Sequence, residues 1–81
     1  MYLTYILFSS KKNKYYIGST SNLEERIKKH NSNHKGFTGG VGDWQVVYQE
    51  NYQSKSEATQ RELQIKKWKS RKVIESLVKG N

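Results

Sequence analysis

Five side chains of types that exchange protons or hold ions stand at spacings that suit helix and strand geometry: Tyr5, Tyr16, Arg26, His30 and Glu62. A phenol, an imidazole or a carboxylate can pass a proton or meet a cation, and a guanidinium can neutralise an anion. Arg26 and His30 are four residues apart, so on a helix they stack on one face, beside the Leu23 and Ile27 stripe that would turn toward a sheet. Glu62 falls at the edge of a second apolar stripe, marked by Ala58 and Ile65, which puts a carboxylate where a helix meets the sheet. Each residue also has plain structural employment. The tyrosines suit strands, Arg26 a solvated helix face, His30 a helix C-terminus, and Glu62 an i,i+4 pair with Lys66. Spacing alone leaves both uses open and favours a basic nucleic-acid-binding module.

The elements that would position these groups can be read in order. Tyr2 to Phe8 is rich in β-branched, aromatic and aliphatic residues, the polar run 9–13 is a turn, and Lys14 to Ser19 resumes the strand pattern. So short a connection makes this an antiparallel hairpin. Any of Ser19, Thr20, Ser21 and Asn22 can cap a helix over 22–32, with acidic residues in its first turn and lysines in its last. Four of the six glycines fall in or near 33–43, which reads as a surface loop, and Trp44 to Tyr52 is a third strand. Ser54 and Glu57 form a capping-box pattern that opens a long C-terminal helix, with a break near Ser70.

Composition limits the function. Eighty-one residues make one domain, 1–81, and a formal net charge of +8 makes polyanions the first partners to consider. The segment 66–72 reads KKWKSRK, with Lys66, Lys67, Lys69, Arg71 and Lys72, while Lys11, Lys12 and Lys14 cluster in the hairpin turn. No apolar run approaches the length of a membrane span, and the absence of cysteine and of a secretory leader pattern makes the cytoplasm the expected location. His30 and His34 are one helical turn apart but lack a third nitrogen or sulfur ligand, so no zinc site is expected. The glycine loop has no Lys-Ser/Thr after it, and Gly18-Ser19-Thr20 is ordinary strand-to-helix sequence; neither indicates a phosphate cradle.

Motif words go further. Tyr16-Ile17-Gly18 reads YIG, Leu3-Thr4-Tyr5 stands eleven residues earlier in the place of GIY, Arg26 follows Tyr16 by ten, and His30 follows Arg26 by four. The stretch Tyr15 to Asn31, and later Ser56-Glu57-Ala58 with Glu62, Ile65, Lys66 and Trp68, resembles the small standalone subgroup of the GIY-YIG endonuclease family. The chain is likewise similar to the nuclease domain of the bacterial excision-repair nuclease subunit. The resemblance spans residues 2–77. It departs at LTY, which keeps the tyrosine, and at a downstream asparagine whose only counterpart is Asn81.

The resemblance implies an α/β fold, with a small three-stranded, mainly antiparallel sheet flanked by helices and the active site on one sheet face between the first and last helices. It implies a metal-dependent DNA endonuclease acting on structured, damaged or single-stranded DNA in repair or recombination, with one Mg²⁺ or Mn²⁺ at Glu62. Tyr5 or Tyr16 would activate water once a neighbouring cation had lowered its pKa from about 10. His30 would assist and Arg26 would stabilise the transition-state charge. The lysines of both basic clusters and Arg71 would hold flanking phosphates, and a protein partner would supply targeting. The alternatives are a catalytically weak or inactive nucleic-acid-binding module and a protein-interaction subunit.

Overall fold

A computed structural model of the chain describes residues 1–32, 36 and 39–80; Asn33, His34, Lys35, Phe37, Thr38 and Asn81 lie outside the described residues. His34, much of the expected loop, and Asn81 therefore carry no structural account. The elements are β1 (Tyr2–Ser9), β2 (Lys14–Thr20), α1 (Leu23–His30), β3 (Gln45–Tyr52), α2 (Lys55–Trp68) and α3 (Arg71–Val78).

The three strands form one antiparallel sheet in the order β2-β1-β3, so β1 is central and β2 is an edge. Alternation along β1 divides the core in two. Tyr5 and Leu7 pack with Trp44 under Leu23 and Ile27 of α1, whereas Ile6 on the other face packs with Ile65 of α2 and Ile74 of α3. The pairing of β1 with β3 shifts between Ile6 and Leu7, whose partners are Tyr48 and Val46. That bulge at Val47 lets both Val47 and Tyr48 pack on the α2/α3 face.

Local chemistry sets the helix ends. The Asn22 side chain caps α1 by accepting the Glu25 N–H at 3.1 Å, and Ser54 caps α2 by accepting the Glu57 N–H at 3.2 Å. Lys69 sits in the left-handed region at φ 49°, which stops α2, and Ser70 then caps α3. The single long C-terminal helix is thus two helices, separated where the sequence placed a break.

Two polar clusters lock the helices to the sheet. On the α2/α3 face Glu50 accepts hydrogen bonds from Tyr48, Tyr52 and the Arg61 guanidinium, whose Nε and Nη2 are 2.9 and 3.1 Å away. At the far end of the hairpin Arg71 donates to the carbonyl and side-chain oxygens of Asn13, each at 2.8 Å, while its guanidinium lies 5.4 Å from the Tyr15 ring centroid and 5.9 Å from that of Phe8.

Candidate active site

Tyr5 and Gly18 are cross-strand partners in the β1/β2 ladder. The Tyr5 ring lies across Gly18, where a Cβ would stand 2.6 Å from the phenol oxygen and 2.8 Å from Cζ. The third residue of YIG is therefore glycine because a phenol occupies the side-chain position, not because of a special backbone angle. Tyr5 is 1% exposed, and its hydroxyl is 2.9 Å from His30 Nε2. The His30 ring is in turn 4.6 Å, centroid to centroid, from Tyr16, which is only half-buried.

His30 is buried because α1 ends against the sheet. The next residue, Asn31, fixes that end by accepting the Trp44 N–H at 2.7 Å and donating to the Trp44 carbonyl at 3.1 Å. One asparagine thus joins α1 to the approach to β3.

The expected cation-lowered phenol is not found at Tyr5. Burial raises its pKa well above the usual phenol value, the charges of Tyr16 and Glu62 push the same way, and Arg26 opposes them without prevailing. Desolvation acts on the whole phenolate, whereas Arg26 is solvent-exposed and its field is screened. Tyr5 therefore stays protonated at neutral pH, and its hydroxyl donates to His30 Nε2 in the tautomer that carries the imidazole proton on Nδ1.

Arg26 lines two open grooves, of about 290 and 260 Å³. The larger runs past the end of β2, with Arg26 on one wall and Lys55 and Ala58 of α2 on the other, Ser19 and Tyr2 also lining it. Glu62 borders this region through Ser19, whose hydroxyl donates to Glu62 Oε1 at 2.6 Å; Lys66 Nζ donates to Oε2, also at 2.6 Å. Because α1 and α2 lie on opposite faces of the sheet, the expected location between two helices on one face is corrected. The phenols and imidazole lie on the α1 face, the carboxylate comes from the α2 face, and Ser19, near the end of the edge strand β2, holds that carboxylate and lines the groove with Arg26.

The basic residues separate by environment. Lys66 is paired with Glu62, Arg71 is tied into the hairpin turn, and Lys11 donates from its backbone N–H to Asp43 and from Nζ to the Val41 carbonyl. Lys67, Lys69 and Lys72 are exposed, and Lys14 and Lys69 line one cleft with Arg71. Lys12 is half-buried in the turn, where its backbone N–H donates to Ser9 Oγ.

Three participants escaped the sequence reading. Lys55 lines the groove with Arg26, Ser19 holds Glu62, and Thr4, fully buried, donates to the Ala58 carbonyl at 2.7 Å. Ala58 lies one turn before Glu62, so Thr4, the middle residue of LTY, anchors the turn of α2 that leads to the carboxylate. A polar residue at the centre of an apolar strand was the available signal for it.

Among the described residues no group of three His, Cys, Asp or Glu side chains could hold a metal ion. Glu62 alone, with Ser19 beside it, is a donor set that suits a hard cation retaining most of its waters.

The GIY-YIG catalytic domain model matches residues 1–75. The chain is 47% identical over 53 residues to a UPF0213 protein of Clostridium perfringens, covering 64% of this chain and 57% of that protein. It is 36% identical over 66 residues to a UPF0213 protein of Staphylococcus saprophyticus, covering 80% of each. The match spans less than two thirds of the Clostridium relative and of a second from Oceanobacillus iheyensis, at 57% and 60% of their lengths. A solution NMR structure of a UPF0213 protein from Bacillus halodurans superposes with a TM-score of 0.59 and 34% identity, over 98% of this chain and 84% of that one. With the family model, the sheet order and the paired phenols in agreement, the chain belongs to the GIY-YIG family of nuclease domains.

Proposed function

We propose that the protein is a DNA endonuclease that hydrolyses a phosphodiester bond at the open end of β2, with one divalent cation held through Glu62. The observation that carries the reading is a chain of contacts from three elements: Tyr5 is hydrogen-bonded to His30, whose ring packs on Tyr16, while Arg26 and Ser19, the residue bonded to Glu62, both line one polar groove open to solvent. Residues with purely structural duties have no reason to meet in this way around a strand edge.

Arg26, exposed on the groove wall, offers its fork of N–H donors to the scissile phosphate and stabilises the negative charge that grows on its oxygens. Tyr5, kept protonated by burial, fixes His30 through their hydrogen bond. His30 in turn packs against Tyr16, the phenol with access to solvent; once Tyr16 has released its own proton to solvent, its phenolate can take one from the attacking water. Mg²⁺ or Mn²⁺ at Glu62 would supply Lewis-acid stabilisation of the departing oxygen. Lys55, Lys67, Lys69 and Lys72, with Lys14 at the hairpin end, would neutralise flanking phosphates without reading sequence. Arg71 is omitted from this set because its donors serve Asn13 and Glu75. So few base contacts leave site choice to DNA shape or to a protein partner.

A second reading, a catalytically silent DNA-binding module, is favoured by the engagement of both Glu62 oxygens. Plasmid, branched and single-stranded DNA incubated with the protein and Mg²⁺ or Mn²⁺ decides between them. Metal-dependent nicking is expected, lost in Arg26→Ala and Glu62→Ala while salt-sensitive binding persists. Binding without nicking on any of the three substrates would leave the silent module.

A further inference from the structure

We infer that Lys66 is a built-in counter-ion that keeps a divalent cation off Glu62 in the DNA-free protein, an inference that rests on the nuclease reading of this site. The ammonium lies 2.6 Å from Oε2 while the Ser19 hydroxyl donates to Oε1 at 2.6 Å, so both carboxylate oxygens face donors. The Glu62 side chain is 16% exposed and that of Lys66 45%, so the carboxylate is sheltered and the cation that covers it reaches solvent. Among the described residues no cluster of further ligands compensates. A divalent ion would have to bind one monovalent carboxylate through the oxygen Lys66 occupies.

The charges decide the order of events. A dication near an ammonium is disfavoured severalfold in affinity, since the ion must either sit beside the ammonium or displace it from the carboxylate. The pair itself is a half-exposed i,i+4 contact and is held only weakly. Lys66 therefore bars the ion while nothing else is present and gives way readily when another anion competes for it. A phosphodiester in the groove provides that anion and brings oxygen ligands that the ion needs. Cation and DNA consequently assist each other's binding, by the same factor in both directions.

The test is a Mn²⁺ titration of DNA-free protein, with paramagnetic broadening of the Ser19 and Glu62 backbone amides read by NMR and folding checked by thermal melting. Lys66→Met should bind Mn²⁺ there severalfold more tightly than the unmodified protein, Lys66→Arg should match the unmodified protein, and adding Glu62→Gln to Lys66→Met should remove the broadening. With a short DNA oligonucleotide present and free Mn²⁺ held by a chelating buffer, the unmodified protein should approach the Lys66→Met value. Equal affinities in the DNA-free pair, or broadening indifferent to Glu62→Gln, would overturn the inference. Plasmid nicking reports separately on the nuclease reading. Nicking with equal affinities sinks only the counter-ion role, whereas tighter Mn²⁺ binding in Lys66→Met without nicking by either protein sinks only the nuclease.

Discussion

Replacing Gly18 with alanine tests the geometry of the site without relying on any activity. The added Cβ would lie 2.6 Å from the Tyr5 phenol oxygen, 2.8 Å from Cζ and 3.1 Å from Tyr16 Cε2. Elsewhere in a strand the same change is favourable by about 0.5–1 kcal/mol, because alanine loses less backbone freedom than glycine. Here Tyr5 has nowhere to go: it is buried, bonded to His30, and carried on a central strand paired on both sides. Overpacking costs about 1–3 kcal/mol and a lost buried hydrogen bond about 1 more. The net expectation is destabilisation of about 1–3 kcal/mol, which for a domain of this length lowers Tm by roughly 5–20 °C. Circular dichroism melting with a parallel urea titration measures it. Tyr5→Phe in the Gly18→Ala background removes the shortest contact but leaves Cζ in place, so it should restore only part of the loss. A melting temperature unchanged or raised in Gly18→Ala would mean that the phenol does not lie on Gly18, and the account of the YIG glycine would fall with it.

Other expectations follow from the same contacts. Because burial, then Tyr16 and Glu62, raise the Tyr5 pKa against Arg26, its stabilising contribution is complete below the unfolded phenol value of 10.0 and is lost as pH rises above it. Urea midpoints between pH 8 and 11 should therefore fall more steeply for the unmodified protein than for Tyr5→Phe, and equal slopes would contradict the burial effect. Burial alone would raise the Glu50 pKa, but hydrogen bonds from Arg61, Tyr48 and Tyr52 outweigh it and hold the value below 4.5, so this contribution disappears as pH falls through the carboxylate range. Glu50→Gln should cost about 1–3 kcal/mol at pH 7 and little at pH 3, since it removes the charge that Arg61 and two phenols share; a cost independent of pH would argue against the network. Thr4→Val keeps the shape and deletes the donor to the Ala58 carbonyl, for a loss of about 1 kcal/mol by denaturant titration. If the anchor also positions Glu62, the Ser19 and Glu62 amide resonances should shift in this variant, and their constancy would restrict Thr4 to packing.

Local signals are enough to find the strands and helices, because each boundary is set by residues adjacent in sequence: Asn22 before α1, Ser54 with Glu57 at α2, and the 69–70 break before α3. What spacing does not encode is which side of the sheet each helix takes, and that choice placed α1 and α2 on opposite faces. The i,i+4 pairing of Glu62 with Lys66 is readable as a pattern, but Ser19 closes the other carboxylate oxygen only through tertiary contact. The Tyr5 phenol exposes the deepest limit. A net charge of +8 suggests that any phenol here is easily ionised, yet Tyr5 answers to its immediate surroundings, where loss of water outweighs an exposed arginine. The same physics separates the surroundings of the two motif tyrosines. Tyr5, in the central strand, is held protonated and orders His30; Tyr16, in the edge strand, keeps contact with water. An antiparallel pair with one strand central and the other at the edge thus gives two identical side chains different surroundings, one buried against His30 and the other half-buried, and sheet topology, more than either motif word, sets that difference.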